Sequence, residues 1–217
     1  MNQDQARFNM VEQQIRTWEV LDKAVLNALM HIKREDFVPA DCQEMAYADT
    51  EIPLPHGQTM LPPRIDARLA NDLALTGQES VLEIGTGSGY LSALLAQRAR
   101  QVLSLEVHAD LAQLAQRHLA QAGIANAQVR CADGAQGAAS DGPFDAIVLG
   151  GSVSEVPQAL LEQLAIGGRL IAIVGEEPVM QTTLFTRNAA QSWHSKVLWD
   201  TFAPPLTGFA QPSAFHF

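Results

Sequence analysis

The stretch VLEIGTGSGYLSALLA, which begins at Val81, constrains the fold more than any other part of the chain. A short apolar run leads into glycines at three alternate positions, Gly85, Gly87 and Gly89, and then into a segment with helical spacing. Glycine tolerates left-handed backbone and the close approach of other groups. The stretch therefore reads as a strand that turns through bare amides into a helix from Tyr90. Beyond it, VLSLEV is followed by a helix from Asp110, then come AQVRCAD, FDAIVLGG with a helix near 156–165, GRLIAIVG, and the runs TTLFTR and SKVLWDTF. Apolar strands alternating with helices predict an α/β fold, a parallel sheet wound with helices on both faces. Ligands of such sheets lie beyond the carboxyl ends of the strands, the edge on which the glycine loop falls.

Ahead of the loop, residues 4–16 and 22–31 predict helices, with Met10, Val11 and Ile15, then Val25, Leu26 and Leu29, at helical spacing and Asp22 as an N-cap. Residues 65–75 predict another. Between them, residues 37–64 are rich in Pro, Gly and polar side chains. So long a weakly periodic segment in a compact chain is functional or disordered. The 217 residues read as one domain, 1–217, divided into an N-terminal part (1–64) and the sheet core (65–217).

Composition narrows the partners. The net charge is −10, and the nearest basic cluster, HIKRED, carries two acids against its two bases, so a nucleic-acid partner is disfavoured. No apolar run reaches the roughly 18 residues of a membrane span, and the N-terminus lacks a secretory layout. Cys42 and Cys131 show no CxxC spacing and the six histidines form no ligand pair, so no metal is expected. Two free thiols point to a reducing, cytoplasmic setting.

Three acids decide what the glycine loop holds. The dinucleotide pattern G-x-G-x-x-G fails at its last position, which is Tyr90. Glu83, two residues before Gly85, would oppose a pyrophosphate. It suits the cationic amino acid end of S-adenosyl-L-methionine, reached directly or through water. Glu106, 21 residues after Gly85, stands where an acid accepts from ribose hydroxyls. Asp133, in CADG, can accept from an adenine amino group. Glu83, Ile84, Gly85, Thr86, Gly87 and Ser88 thus form the expected donor site with Glu106, Val107, Asp133 and Gly134.

VLEIGTGSGY resembles the first motif of the protein-L-isoaspartate (D-aspartate) O-methyltransferases. NMVEQQIR, VLNALMHIKREDFVP, AYADTEIPLPHGQT, ADGAQG, PFDAIV, LLEQLAIGGRLIAIVG and FAPPLTG are similar to further segments of that family, over nearly the whole chain. The resemblance implies a seven-stranded, mostly parallel, Rossmann-like sheet with an antiparallel hairpin at one edge and an N-terminal helical segment. It implies that residues 50–64 lie over the methyl donor. It also implies methylation of isoaspartyl carboxylates in damaged proteins, with Gln58 and Thr59 of GQT positioning the reacting end. A carboxylate, with a pKa near ~4, is already a nucleophile. The absence of a Ser-His-Asp or paired-carboxylate constellation is therefore expected.

Two segments depart from the family. Leu61 stands where a serine helps hold the substrate carboxylate, with Pro62 and Pro63 after it and Pro55 before His56, and VLGGS replaces the usual VTAA. Either Ser152 or Arg64 restores the lost contact, or the site takes another acceptor, a small and more apolar molecule, with His56 as a base or as a structural side chain. A protein that binds adenosylmethionine without catalysis is the third alternative. Nothing in the sequence sets an oligomeric state.

Overall fold

The computed structural model describes residues 2–210. The chain opens with α1 (Gln3–Asn9), which runs on through a π-helical turn over Met10–Ile15 and a 3-10 turn over Arg16–Trp18. The expected helix over 4–16 is thus present but changes its winding. The wider π turn turns Met10, Val11 and Ile15 into the core. Helix α2 (Lys23–His31) starts at Asp22, whose side chain accepts from the Ala24 amide at 2.7 Å, the expected N-cap.

Residues 37–64 are ordered as turns and one small hairpin, β1 (Ile52–Pro53) against β2 (Thr59–Met60). Helix α3 (Pro63–Asp72) follows, with proline in its first turn. Then come β3 (Ser80–Ile84), α4 (Tyr90–Ala96), β4 (Gln101–Glu106), α5 (Ala109–Gln121), β5 (Ala127–Cys131), β6 (Phe144–Val153), α6 (Gln158–Glu162), β7 (Leu164–Glu176), β8 (Val179–Ala189) and β9 (Ser192–Asp200). Helix α6 is shorter than the expected 156–165, because the chain enters β7 at Leu164.

The seven-stranded sheet has the order β5-β4-β3-β6-β7-β8-β9. Strands β3 to β7 pair in parallel, and β8 and β9 complete it as an antiparallel edge. This is the doubly wound, mostly parallel sheet that the sequence predicts. Val81, Val102, Val148 and Ile171 face a core shared with the N-terminal helices, including Met10, Ile15 and Leu29. Leu82, Leu103, Ile147 and Leu170 face a second core with Phe144 and Leu160. Strand order reverses between β3 and β6, and the glycine loop leaves β3 at that switch point.

Candidate active site

The loop after β3 is anchored by its own backbone. Gly85 N–H donates to Leu105 O at 2.9 Å and Gly89 N–H to Thr86 O at 2.9 Å. Gly85 and Gly87 have φ of 88° and 54°, the left-handed region. A Cβ on Gly150 of β6 would lie 2.6 Å from Gly85 O, which accounts for glycine in VLGGS: loop and strand pass backbone to backbone. Thr86 and Ser104 share a hydrogen bond at 2.5 Å, so the Thr86 hydroxyl faces the sheet rather than the cleft. Ser88 is buried and its carbonyl accepts from His118 Nδ1 at 2.9 Å.

Glu106 grips both the loop and the entrance to α5. Its Oε2 accepts from Gly87 N–H at 2.9 Å and its Oε1 from His108 N–H at 3.0 Å. Val107, next to it, is an exposed apolar side chain. Asp133 is exposed beyond β5, with Oδ1 accepting from Ala135 N–H at 2.9 Å. A Cβ on Gly134 would strike Ile84 Cγ2 at 2.3 Å, so Ile84 and Gly134 pack under the same edge. The expected nucleoside contacts, Glu106, Val107, Asp133 and Gly134, thus line up along the ends of β4 and β5.

Glu83 is placed differently from the expectation. It is fully buried, its Oε2 accepts from Ser92 Oγ on α4, and its Oε1 has no partner among the described residues. Burial pushes its carboxyl up to about 7, with the Ser92 hydroxyl pulling the other way. The physical reason is direction. Glu83 shares a strand face with Val81, so its side chain runs under α4 instead of out of the strand end.

Across the loop, a cleft is lined by Thr59, Met60, Leu61, Asp66, the residues from Gly85 to Ser88, and Tyr90. Its far wall is fixed by Arg34, which is wholly buried. Arg34 Nη1 donates to Asp66 Oδ2 at 2.8 Å, its Nη2 donates to Leu61 O at 2.6 Å, and its guanidinium lies 4.6 Å from the Tyr90 ring centre. Burial pushes Asp66 up to about 6, with Arg34 pulling the other way. The Thr59 and Tyr90 hydroxyls are buried in this wall and have no hydrogen-bond partner among the described residues. Sequence reasoning singled out Thr59 and Leu61 but missed the buried Arg34–Asp66 pair behind them. Arg34 lay in HIKRED, weighed only as a charge cluster, and Asp66 lay unremarked in the helix expected over 65–75.

A strap over residues 203–209 runs above the loop. Ser152 holds it, its Oγ donating to Ala203 O and its N–H to Pro204 O, both at 2.8 Å. Leu206 lies where a Cβ on Gly85 would be, 2.6 Å away, and Gly208 lies against the Asp133 carboxylate. Gln58, outside the cleft wall, reaches Thr207 Oγ1 at 3.5 Å. Of the two candidates for the lost serine contact, Ser152 is thus committed to the strap. Arg64 is committed to Asp49 and the Trp18 ring. His56, at φ 61°, donates through Nε2 to Asp110 at 2.8 Å and stacks on His108, tying the hairpin to α5 as a structural side chain does. No cluster of metal-ligating side chains exists among the described residues.

The comparisons agree with this architecture. Residues 5–210 match the protein-L-isoaspartate(D-aspartate) O-methyltransferase family. The chain is 42% identical over 202 residues to the protein-L-isoaspartate O-methyltransferase of Koribacter versatilis (strain Ellin345), covering 93% of this chain and 90% of that protein. It is 42% identical to protein-L-isoaspartate O-methyltransferase 1 of Rhodopseudomonas palustris (strain HaA2), covering 93% and 83%. Among solved structures, a protein-L-isoaspartate O-methyltransferase aligns with a TM-score of 0.81 at 24% identity, covering 93% of this chain and 66% of that one. A putative one from Plasmodium falciparum, in complex with S-adenosyl-L-homocysteine, aligns at 0.77 and 24%, covering 95% and 99%. The chain belongs to the protein-L-isoaspartate (D-aspartate) O-methyltransferase family.

Proposed function

We propose that this protein is an S-adenosylmethionine-dependent methyltransferase that esterifies the free carboxylate of isoaspartyl residues in damaged proteins. The observation that carries the reading is the family match through residues 5–210, with the glycine cradle intact inside it. The cradle fits the donor: the backbones of Gly85 and Gly150 pass too closely for a side chain on Gly150, and the bare loop from Gly85 to Ser88 lines the cleft. Gly85 to Ser88 hold the amino acid end, Glu106 the ribose hydroxyls, Val107 one adenine face, and Asp133 with Gly134 the adenine amino edge. When bound, the donor supplies an electrophilic methyl group on a sulfonium.

The rest is positioning. An acceptor carboxylate is ionised at neutral pH and needs no base. The ionisable side chains in the cleft wall are Asp66 and Tyr90, and His56 is engaged by Asp110. Thr59 and Gln58 orient the acceptor, Met60 and Leu61 give it a dry wall, and the strap keeps water out. Orientation of this kind is worth on the order of 7–11 kcal/mol. One domain does this work, in the cytoplasm, on a protein substrate and without nucleic acid or membrane. Two free cysteines and the net charge support that setting, and no helix among the described residues is long and apolar enough to cross a membrane.

Leu61 favours a second reading. It lines the cleft where a hydroxyl donor is expected, and Ser152 and Arg64 are engaged elsewhere. On that reading the acceptor is a different molecule, small and more apolar. Transfer of a labelled methyl group to an isoaspartyl peptide, the matching aspartyl peptide and a metabolite extract tests both. Transfer to the isoaspartyl peptide alone supports the main reading, and transfer to the extract alone supports the second. Homocysteine-nucleoside binding without any transfer leaves a non-catalytic binding protein.

A further inference from the structure

A turn that covers a cleft must be held to something, and what holds it governs how fast it opens. Residues 54–58, the turn of the β1–β2 hairpin, reach over the glycine loop: a Cβ on Gly87 would meet Leu54 Cδ1 at 3.3 Å. The turn closes on itself. Leu54 N–H donates to Gln58 O at 2.8 Å, and Gln58 N–H to Pro55 O at 3.2 Å. Among the described residues, two side chains bond it to the body of the molecule. Gln58 Nε2 reaches Thr207 Oγ1 only at 3.5 Å, a weak contact. His56 Nε2 meets both oxygens of Asp110, at 2.8 and 2.9 Å.

The His56 contact is thus the stronger tether, and it lies at the nucleoside end of the cleft. The His56 ring stacks on His108, with centroids 4.2 Å apart and planes 3° apart. The His108 N–H donates to Glu106 Oε1 at 3.0 Å, and Glu106 is the acid that the ribose would meet. The turn therefore docks two residues from the ribose site. The docking is also opposed. His56 sits at φ 61°, a left-handed conformation that costs a residue with a side chain. His108 Nε2 is buried with no hydrogen-bond partner among the described residues. The two imidazoles lie face to face, the less favoured way for aromatic rings to stack. The His56 and Asp110 side chains are 42% and 60% exposed, so water screens their attraction. A tether of this kind closes a turn without locking it.

We propose that His56, docked on His108 and Asp110, is the latch of the donor's cover: it holds the 54–58 turn across the ribose end, and its release sets how fast the spent nucleoside leaves. The inference rests on the methyl-donor reading above. His56 is here a positioning residue, acting through the turn and not by touching the ligand. Because the latch is closed without a ligand, opening it speeds entry as well as exit.

The test follows a bound nucleoside leaving. Tritiated S-adenosylhomocysteine is chased with unlabelled ligand to give the dissociation rate, and calorimetry gives the affinity. His56→Gly removes the latch and accepts a left-handed backbone without strain. It is expected to release the ligand about 5- to 20-fold faster than the wild type, with the affinity changed less than threefold. Asp110→Asn leaves the backbone of the turn untouched and is expected to speed release about 2- to 5-fold. It decides the case should circular dichroism show His56→Gly unfolded. His56→Asn, which tolerates the same backbone and can still donate to Asp110, is expected to release more slowly than His56→Gly. Release at the wild-type rate in His56→Gly, or in Asp110→Asn where that variant decides, overturns the proposal. An affinity that falls in step with faster release also overturns it, because His56 would then touch the ligand directly. A wild type that does not bind S-adenosylhomocysteine instead overturns the methyl-donor reading itself.

Discussion

The glycine loop and the strand ends at Glu106 and Asp133 are held by backbone and local contacts. Glu106 reaches an amide two residues on and one 19 residues back, and Asp133 caps an amide two residues on. Across the cleft, residues 54–66 and the 203–209 strap are held by side chains from far away in the chain. Arg34 meets Asp66 across 32 residues, Ser152 meets Ala203 across 51, and His56 meets Asp110 across 54. The first region is fixed by glycine positions and strand ends. The second depends on pairs whose partners only the fold brings together. Substitutions on the two sides are therefore expected to fail in different ways.

The largest effect is expected on the far wall. Arg34→Met leaves Asp66 buried without its partner, which costs about 3–5 kcal/mol of stability. Arg34→Met with Asp66→Leu is expected to recover much of that loss, since the uncompensated charge goes too. Urea denaturation of both variants checks it, and a double variant no more stable than the single one would break the account of this wall.

On the donor side, Glu106→Ala is expected to weaken S-adenosylhomocysteine binding by about 1.5–3 kcal/mol while the fold survives. Two backbone amides lose their acceptor in that variant, so some loosening of the loop accompanies it. Wild-type affinity by calorimetry would remove Glu106 from the site. Ser152→Ala is expected to cost about 0.5–1.5 kcal/mol, because it frees Ala203 O and loosens the strap. The sign of that change on peptide turnover separates a strap that excludes water from one that only packs.

A smaller effect is a pH slope. Burial raises the folded pKa of Glu83 to about 7 from 4.5. A raised carboxyl contributes stability that is full below the unfolded value and is lost as pH rises through the folded one. Glu83→Gln removes that loss, so its stability relative to the wild type should rise from pH 5 to pH 8. Parallel melting curves would place an ionised carboxylate under α4 instead.

How much of this was legible in the sequence follows the same division. The strand-helix alternation and the Asp22 cap are written in local sequence, the edge hairpin came with the family resemblance, and each is present. The strand-end placement of Glu106 and Asp133 was legible because it needs no partner elsewhere in the chain. Glu83 was misread because its position in β3 gives the strand end but not the face, and one residue of pleat decides between cleft and core. Arg34 and Asp66 were invisible for a different reason. A buried ion pair leaves no periodic trace, and both residues are of types that usually sit on surfaces. The π turn over Met10–Ile15 was likewise beyond reach, since its apolar spacing also fits an ordinary helix.

The division into a donor side and an acceptor side is tested most directly by steady-state kinetics with isoaspartyl peptide and S-adenosylmethionine, comparing Glu106→Ala with Leu61→Ser. Glu106→Ala is expected to raise the KM for the donor about 10- to 100-fold and leave the peptide KM within a factor of about two. Leu61→Ser is expected to change the peptide KM and leave the donor KM in place. If both KM values move together in both variants, the two sides are not separate and the account is contradicted.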